Sequence, residues 1–373
     1  MPTEVTYGLP YDQWNWRIGV YIAMIGIAGG AYLTGYIADL LAEKRDSRQY
    51  GQVAKFGYLV GLGGLAIGPP VLLSHLAAPF RAMMIPLTMT NLGSWMSIGA
   101  YMLMGFGLGT SVMFLWLAFG TNRPHARTLG SSNEVAADGG EDVAADGGPA
   151  KAATSDETAG GFRGAANKVG LMNLLDSIAD YTRPSRRNRL VVGALFGIFA
   201  AGVLVYSAMA YGSGSTERVA LWDPTFLLPV QILTGLGAGL TVAVGLAALA
   251  ERDVSRPIQN CSLGAAGLLA GGLVAVAATL FLLPEQIPAA QPAVDNLTSA
   301  YALEFVGIAL VGGLIVPIAL SIAGTLGVRR DALSDSGAVG AYVAAAALVV
   351  AGKLALALSY LMAAEFTPMP LPV

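Results

Sequence analysis

The chain has 373 residues, 55% of them apolar and 12% charged, with a mean hydropathy of +0.61 and a net charge of −3. A water-soluble chain of this size carries about a quarter charged residues, and the few present here gather in short segments between long uncharged runs. That excludes one water-soluble core, since so much apolar surface has lipid as its natural solvent. A single cysteine, Cys261, excludes an intrachain disulfide and a Cys-ligated iron–sulfur cluster.

The opening MPTEVTYGLPYDQWNW has no basic stretch and no cleavage site, so the first apolar run reads as a retained span. Runs near 17–42, 54–78, 94–120, 189–212, 224–250, 261–283, 300–326 and 337–364 each reach the roughly 20 residues that a bilayer crossing needs. None alternates with the period of a barrel strand. The pattern predicts an all-α, polytopic membrane bundle of about eight transmembrane helices. Residues 1–120 carry the first three spans and 189–373 the last five. Pro69, Pro70 and Pro317 are expected to kink or break the second and seventh helices. The 48 glycines fall largely within the apolar runs, where small residues let helices approach closely.

The segment 121–188 is the longest connection. It repeats VAADGG at 135–140 and 143–148 and is rich in Ala, Gly, Asp and Glu, the composition of a disordered acidic tether. Towards its end, Leu171, Leu174, Leu175 and Ile178 share one helical face. They predict a short amphipathic helix, either on the inner membrane surface or packed on the bundle.

Basic residues orient the set. Lys44, Arg45, Arg48 and Lys55, eight in the long connection with Arg189 at the start of the fourth span, Arg252, Arg256, Arg329 and Arg330 make 17 of the 21 and fall on one side. The other side has Arg81 and Arg218, with Arg17 at the start of the first span, and Lys353 lies within the eighth. The expected topology is N-out and C-out in a multi-pass cell-membrane protein, with 121–188 cytoplasmic.

Ionisable residues at membrane depth are costly and are functional candidates by default. His75, in SHLAAPFR, stands near the outer end of the second span with Arg81 close behind. Glu304 lies near the outer end of the seventh span and Lys353 towards the middle of the eighth. Asp39 and Glu43 end the first span on the inner side, where a helix end explains them. There are two histidines, and His125 lies in the long connection. Bis-His haem ligation within this chain is therefore impossible, and one membrane histidine with scattered carboxylates makes no metal site. The outer rim suits a quinone: a histidine that titrates near neutral pH, an arginine, Tyr206 and Tyr211, and Trp14, Trp16, Trp95 and Trp222 at the same level. The aromatic residues also fit an interfacial belt.

Five segments carry a family resemblance. WNWRIGVYIAMIGIAGGAYL opens the first span, and HLAAPFR (75–81), SWMSIGAY (94–101), YSAM (206–209) and VGGLIVPIAL (311–320) follow in order. Together they resemble the NrfD/PsrC family, membrane subunits of polysulfide reductase-like complexes. Ala77, Ser207 and Ala208 depart from the family pattern, and its arginine in the last helix has no clean match, Lys353 being the nearest substitute. The resemblance implies an eight-helix subunit of a respiratory oxidoreductase complex. It would bind a quinone, menaquinone first among them, without haem or an iron–sulfur cluster of its own. It would exchange electrons with an extrinsic iron–sulfur subunit and, through it, a molybdopterin catalytic subunit on the outer face. Carried over by position, Asn15, Arg81 and Tyr206 hold the quinone and His75 takes its proton; Glu304 and Lys353 are candidates for a proton route. A secondary transporter of a small solute and a passive anchor for an extrinsic enzyme are the alternatives.

Overall fold

A computed structural model describes residues 15–74, 76, 80, 84, 88, 93–119, 171–212 and 219–364. Among them there is no strand. Eight helices are long and apolar enough to cross a membrane, as the sequence predicts. The helices are α1 (Trp16–Arg45), α2 (Arg48–Leu73), α3 (Trp95–Ala118), α4 (Leu171–Thr182), α5 (Arg186–Gly212), α6 (Pro224–Glu251), α7 (Arg256–Gln286) and the short α8 (Gln291–Thr298). A π-helical segment (Leu303–Ile315) then leads into α9 (Val316–Arg329), and α10 (Asp335–Met362) follows. The expected tether at 121–170 lies outside the described residues.

The chain forms two compact units, one drawn from 1–111 and 190–373, the other from 112–189. The first is built around α1, which is buried along most of its length and packs on α2, α6 and α10. Glycine explains how one helix takes so many neighbours. A Cβ on Gly30 would lie 2.0 Å from the Gly235 carbonyl oxygen of α6, and one on Gly239 would lie 2.1 Å from the Ala31 nitrogen. The backbones of α1 and α6 therefore touch, an approach only glycine permits. Gly313 and Gly352 meet in the same way between the π segment and α10, where a Cβ on either would come within 2.3 Å of the other's Cα. An apolar core of Met24, Ile27, Ala238, Leu269, Leu314 and Val349 fills the space between these contacts.

The basic residues gather at one end. Arg48 at the start of α2 pairs with Glu251 at the end of α6 at 3.5 Å. Arg329 donates to Gln259 Oε1 at 2.9 Å and Asn260 Oδ1 at 3.0 Å, tying the end of α9 to the start of α7. Asp46 and Arg252 close α1 and α6 there in left-handed conformation, each N–H reaching back to a carbonyl of the last turn.

Neither proline site breaks its helix. α2 continues through Pro69 and Pro70 to Leu73, and the Ser74 N–H still donates to the Pro70 carbonyl at 2.9 Å. With one turn left, few carbonyls lose a donor. Pro317 does mark a change, though not an interruption: it stands in the first turn of α9, where π pairing gives way to α pairing. The last π bond runs from Val316 N–H to the Val311 carbonyl, and the next residue has no N–H to continue the series.

In the second unit α4 docks on the last turns of α3. Trp116 Nε1 donates to Thr182 Oγ1 at 3.0 Å, and Arg183 donates to the Trp116 and Phe119 carbonyls. Ala179 is buried, whereas Leu174, Ile178 and Tyr181 stand exposed on one side.

Candidate functional site

The site forms where the start of α1, the end of α5, the first turns of α6 and the end of α10 come together. Asn15 caps α1: its Oδ1 accepts the Arg17 N–H at 3.0 Å. The Arg17 side chain donates to the Ser74 carbonyl at 3.3 Å, so the start of α1 lies against the chain that leads into His75. His75 and Arg81 themselves lie outside the described residues.

Tyr206 is half-buried on α5. A Cβ on Gly99 of α3 would fall 2.2 Å from the Tyr206 ring, so the ring lies directly on that glycine. Its other neighbour is Tyr21 of α1, met edge-on with ring centroids 6.5 Å apart. The Tyr21 hydroxyl is buried beside the Tyr206 hydroxyl. Behind this pair, Tyr211 donates to the Ala357 carbonyl at 3.1 Å and Trp222 Nε1 to the Tyr360 carbonyl at 2.9 Å. These two bonds clamp the end of α5 and the following turn to α10.

Lys353 lies deeper. It is 3% exposed, and its Nζ donates to Gln231 Oε1 and Thr234 Oγ1 of α6, both at 2.6 Å. The Thr234 hydroxyl spends its own proton on the Val230 carbonyl at 2.6 Å, so towards Lys353 it acts as acceptor. Gly26 of α1 joins this group to the tyrosines: a Cβ there would lie 3.9 Å from Lys353 Nζ and 3.8 Å from the hydroxyl oxygen of Ser207, the residue after Tyr206. Glu304, in the first turn of the π segment, is exposed and is not among Lys353's hydrogen-bond partners.

The chain matches the family model described as polysulphide reductase, NrfD, over residues 9–368. It belongs to the NrfD family. Nearly the whole chain is covered, the long connection included, so this is a multi-pass membrane subunit of the oxidoreductase-complex kind. A comparison with curated proteins gives no match.

Within this NrfD chain Gly26 lies between Lys353 and Ser207, the residue next to Tyr206, and Arg17, two residues after Asn15, bonds Ser74, the residue before His75. Glu304 stands apart from both. Sequence reasoning missed Gln231, Thr234, Tyr21 and Gly99. Gln231 had a signal: it is the single amide side chain in the uncharged run 224–250, and a buried amide in lipid needs a partner. Gly99 had none, because its role depends on a ring from another helix.

Proposed function

We propose that this subunit oxidises or reduces a membrane quinone at the end of the bundle where α1 begins, and exchanges the electrons with an extrinsic iron–sulfur subunit. A molybdopterin catalytic subunit completes the complex, and this chain contributes no haem and no cluster of its own. The observation that carries the reading is membership, over residues 9–368, of a family of oxidoreductase membrane subunits. The Arg17 bond to the Ser74 carbonyl, which ties the start of α1 to the residue before His75, supports it. The two phenols, Tyr21 and Tyr206, also support it, since a phenol hydroxyl donates and a quinone oxygen accepts hydrogen bonds.

In this mechanism Tyr206 and the Asn15 amide hold the head group, and Arg81 stabilises negative charge as a quinol hydroxyl ionises. His75 accepts that proton as general base. A quinol gives up two electrons and two protons, and the electrons pass to the partner subunit; quinone reduction uses the same groups in reverse. A general base matched to neutral pH contributes about 10²–10⁴-fold. His75→Ala should therefore slow quinol-dependent reduction of the partner's clusters at least about a hundredfold, measured per assembled complex. His75→Glu should restore part of the rate with a shifted pH optimum. A near-wild-type rate in the alanine variant would remove His75 from the mechanism.

A further inference from the structure

Among the described residues of the helices around it, Lys353 is the one charged side chain at its depth. Between Arg17 and Asp39 on α1, and between Asp223 and Glu251 along α6, there is no charged residue. From Leu303 to Val328 the one charged side chain is Glu304, which is exposed, and α10 beyond Asp335 has Lys353 alone. The titratable groups near it are Tyr21 on α1, Tyr206 and Tyr211 on α5, and Tyr342 and Tyr360 on α10 itself; α9 adds none before Arg329. An ammonium held in lipid-like surroundings is ordinarily paired with a carboxylate, because taking an unpaired charge out of water costs several kcal/mol. Lys353 has two neutral acceptors instead.

The count of bonds fits a group that changes its proton number. A neutral amine has two N–H groups, and the two acceptors, Gln231 Oε1 and Thr234 Oγ1, take both. Protonation adds a third N–H and leaves those two bonds in place. Gln231 has a further role, because its buried Nε2 faces the Tyr211 hydroxyl. The amide therefore lies between the amine and the tyrosines at the end of the bundle. On the other side, Lys353 borders a crevice lined by Ala238, Ala309, Leu314 and Val349, too narrow to admit a water molecule. Apolar residues close off Lys353 on that side, and its polar neighbours are Gln231 and Thr234.

We propose that Lys353, with Gln231 and Thr234, is a proton store for the quinol site, a reading that rests on the function proposed above. When a quinol is oxidised, two electrons leave to the iron–sulfur subunit and two protons are freed. One becomes the third N–H of Lys353 and the other goes to water. The stored proton returns when the site next takes up protons.

The test uses the complete complex in detergent with a pH-indicating dye, a single equivalent of quinol and cluster reduction followed in the same cuvette. Wild-type complex should release one proton to the medium per quinol oxidised in the first turnover. Lys353→Met cannot store one and should release two. Lys353→Arg retains a cation that does not deprotonate, and should also release two, which keeps the test open if the methionine variant fails to assemble. Both variants should lose an inflection from the pH profile of the rate, which a loss of stability alone would not change. Equal release of two protons by wild type and variants would overturn the store and leave the quinol reading intact. If wild-type complex oxidises no quinol, the quinol reading itself fails, and the store with it.

Discussion

At the scale of single residues, the site depends on what is missing as much as on what is present. Gly99 has no side chain, and the Tyr206 ring occupies the space where one would be. A methyl group 2.2 Å from a ring carbon forces the ring or the helix to move. Gly99→Ala should therefore displace Tyr206 from Tyr21 and weaken quinol binding, raising KM several-fold, while His75 continues to accept the proton and kcat changes less. Steady-state kinetics over a quinol series checks this, and an unchanged KM would show that Tyr206 does not hold the head group. The candidates drawn from the sequence were those a residue type announces: a histidine, arginines, a lysine, a tyrosine near the rim. Lys353 was legible because charge in an apolar run is conspicuous. Its acceptors were less so: threonine is common in spans, and the lone amide Gln231 signals a buried partner without naming which helix supplies it. Asn15 was legible by position, but its capping bond to Arg17 depends on where α1 starts.

At the scale of elements, hydropathy located all eight spans, because length and apolarity are local properties of the chain. The change of helical pitch at Pro317 was not legible. A proline states that a bond is absent but does not say that thirteen residues before it are π-helical. The short α4 was legible from the 3.6-residue period of its leucines, and the structure adds how it is held. Trp116 and Arg183 fix it to the end of α3, while Leu174, Ile178 and Tyr181 remain exposed. Such a strip beside Arg186 and Arg187 suits the boundary between headgroups and acyl chains. A nitroxide at position 178 should therefore be relaxed by oxygen, which concentrates in lipid, and shielded from a water-soluble nickel chelate. A label at position 177 should show the reverse, and equal exposure of both to the chelate would make α4 an aqueous connector.

At the scale of the whole molecule, the distribution of charge predicts an orientation. The Arg48–Glu251 pair and the Arg329 bonds lie at the end that holds most of the basic side chains, the end expected in the cytoplasm. In right-side-out vesicles, single cysteines placed after Ala364 should react with an impermeant maleimide. Those placed within 140–150 should react only after permeabilisation. Labelling of both from the same side would refute the topology. Family membership and span count were legible from the ordered segments, since a polytopic chain writes its architecture in sequence order. The pairing of α1 with α6 was not, because hydropathy says nothing about which helices touch.

That pairing has a consequence for how the protein is made. α1 leaves the ribosome well before α6, against whose backbone it must lie, and 206 residues separate the end of α1 from the end of α6. At about 5–20 residues per second, roughly 10–40 s pass before the partner is complete. During that interval the face around Gly30 has only lipid or the insertion machinery against it. Its natural neighbour has not yet been synthesised. A chaperone of the bilayer that shelters small-residue faces would have its longest task here, with the hairpin of α1 and α2.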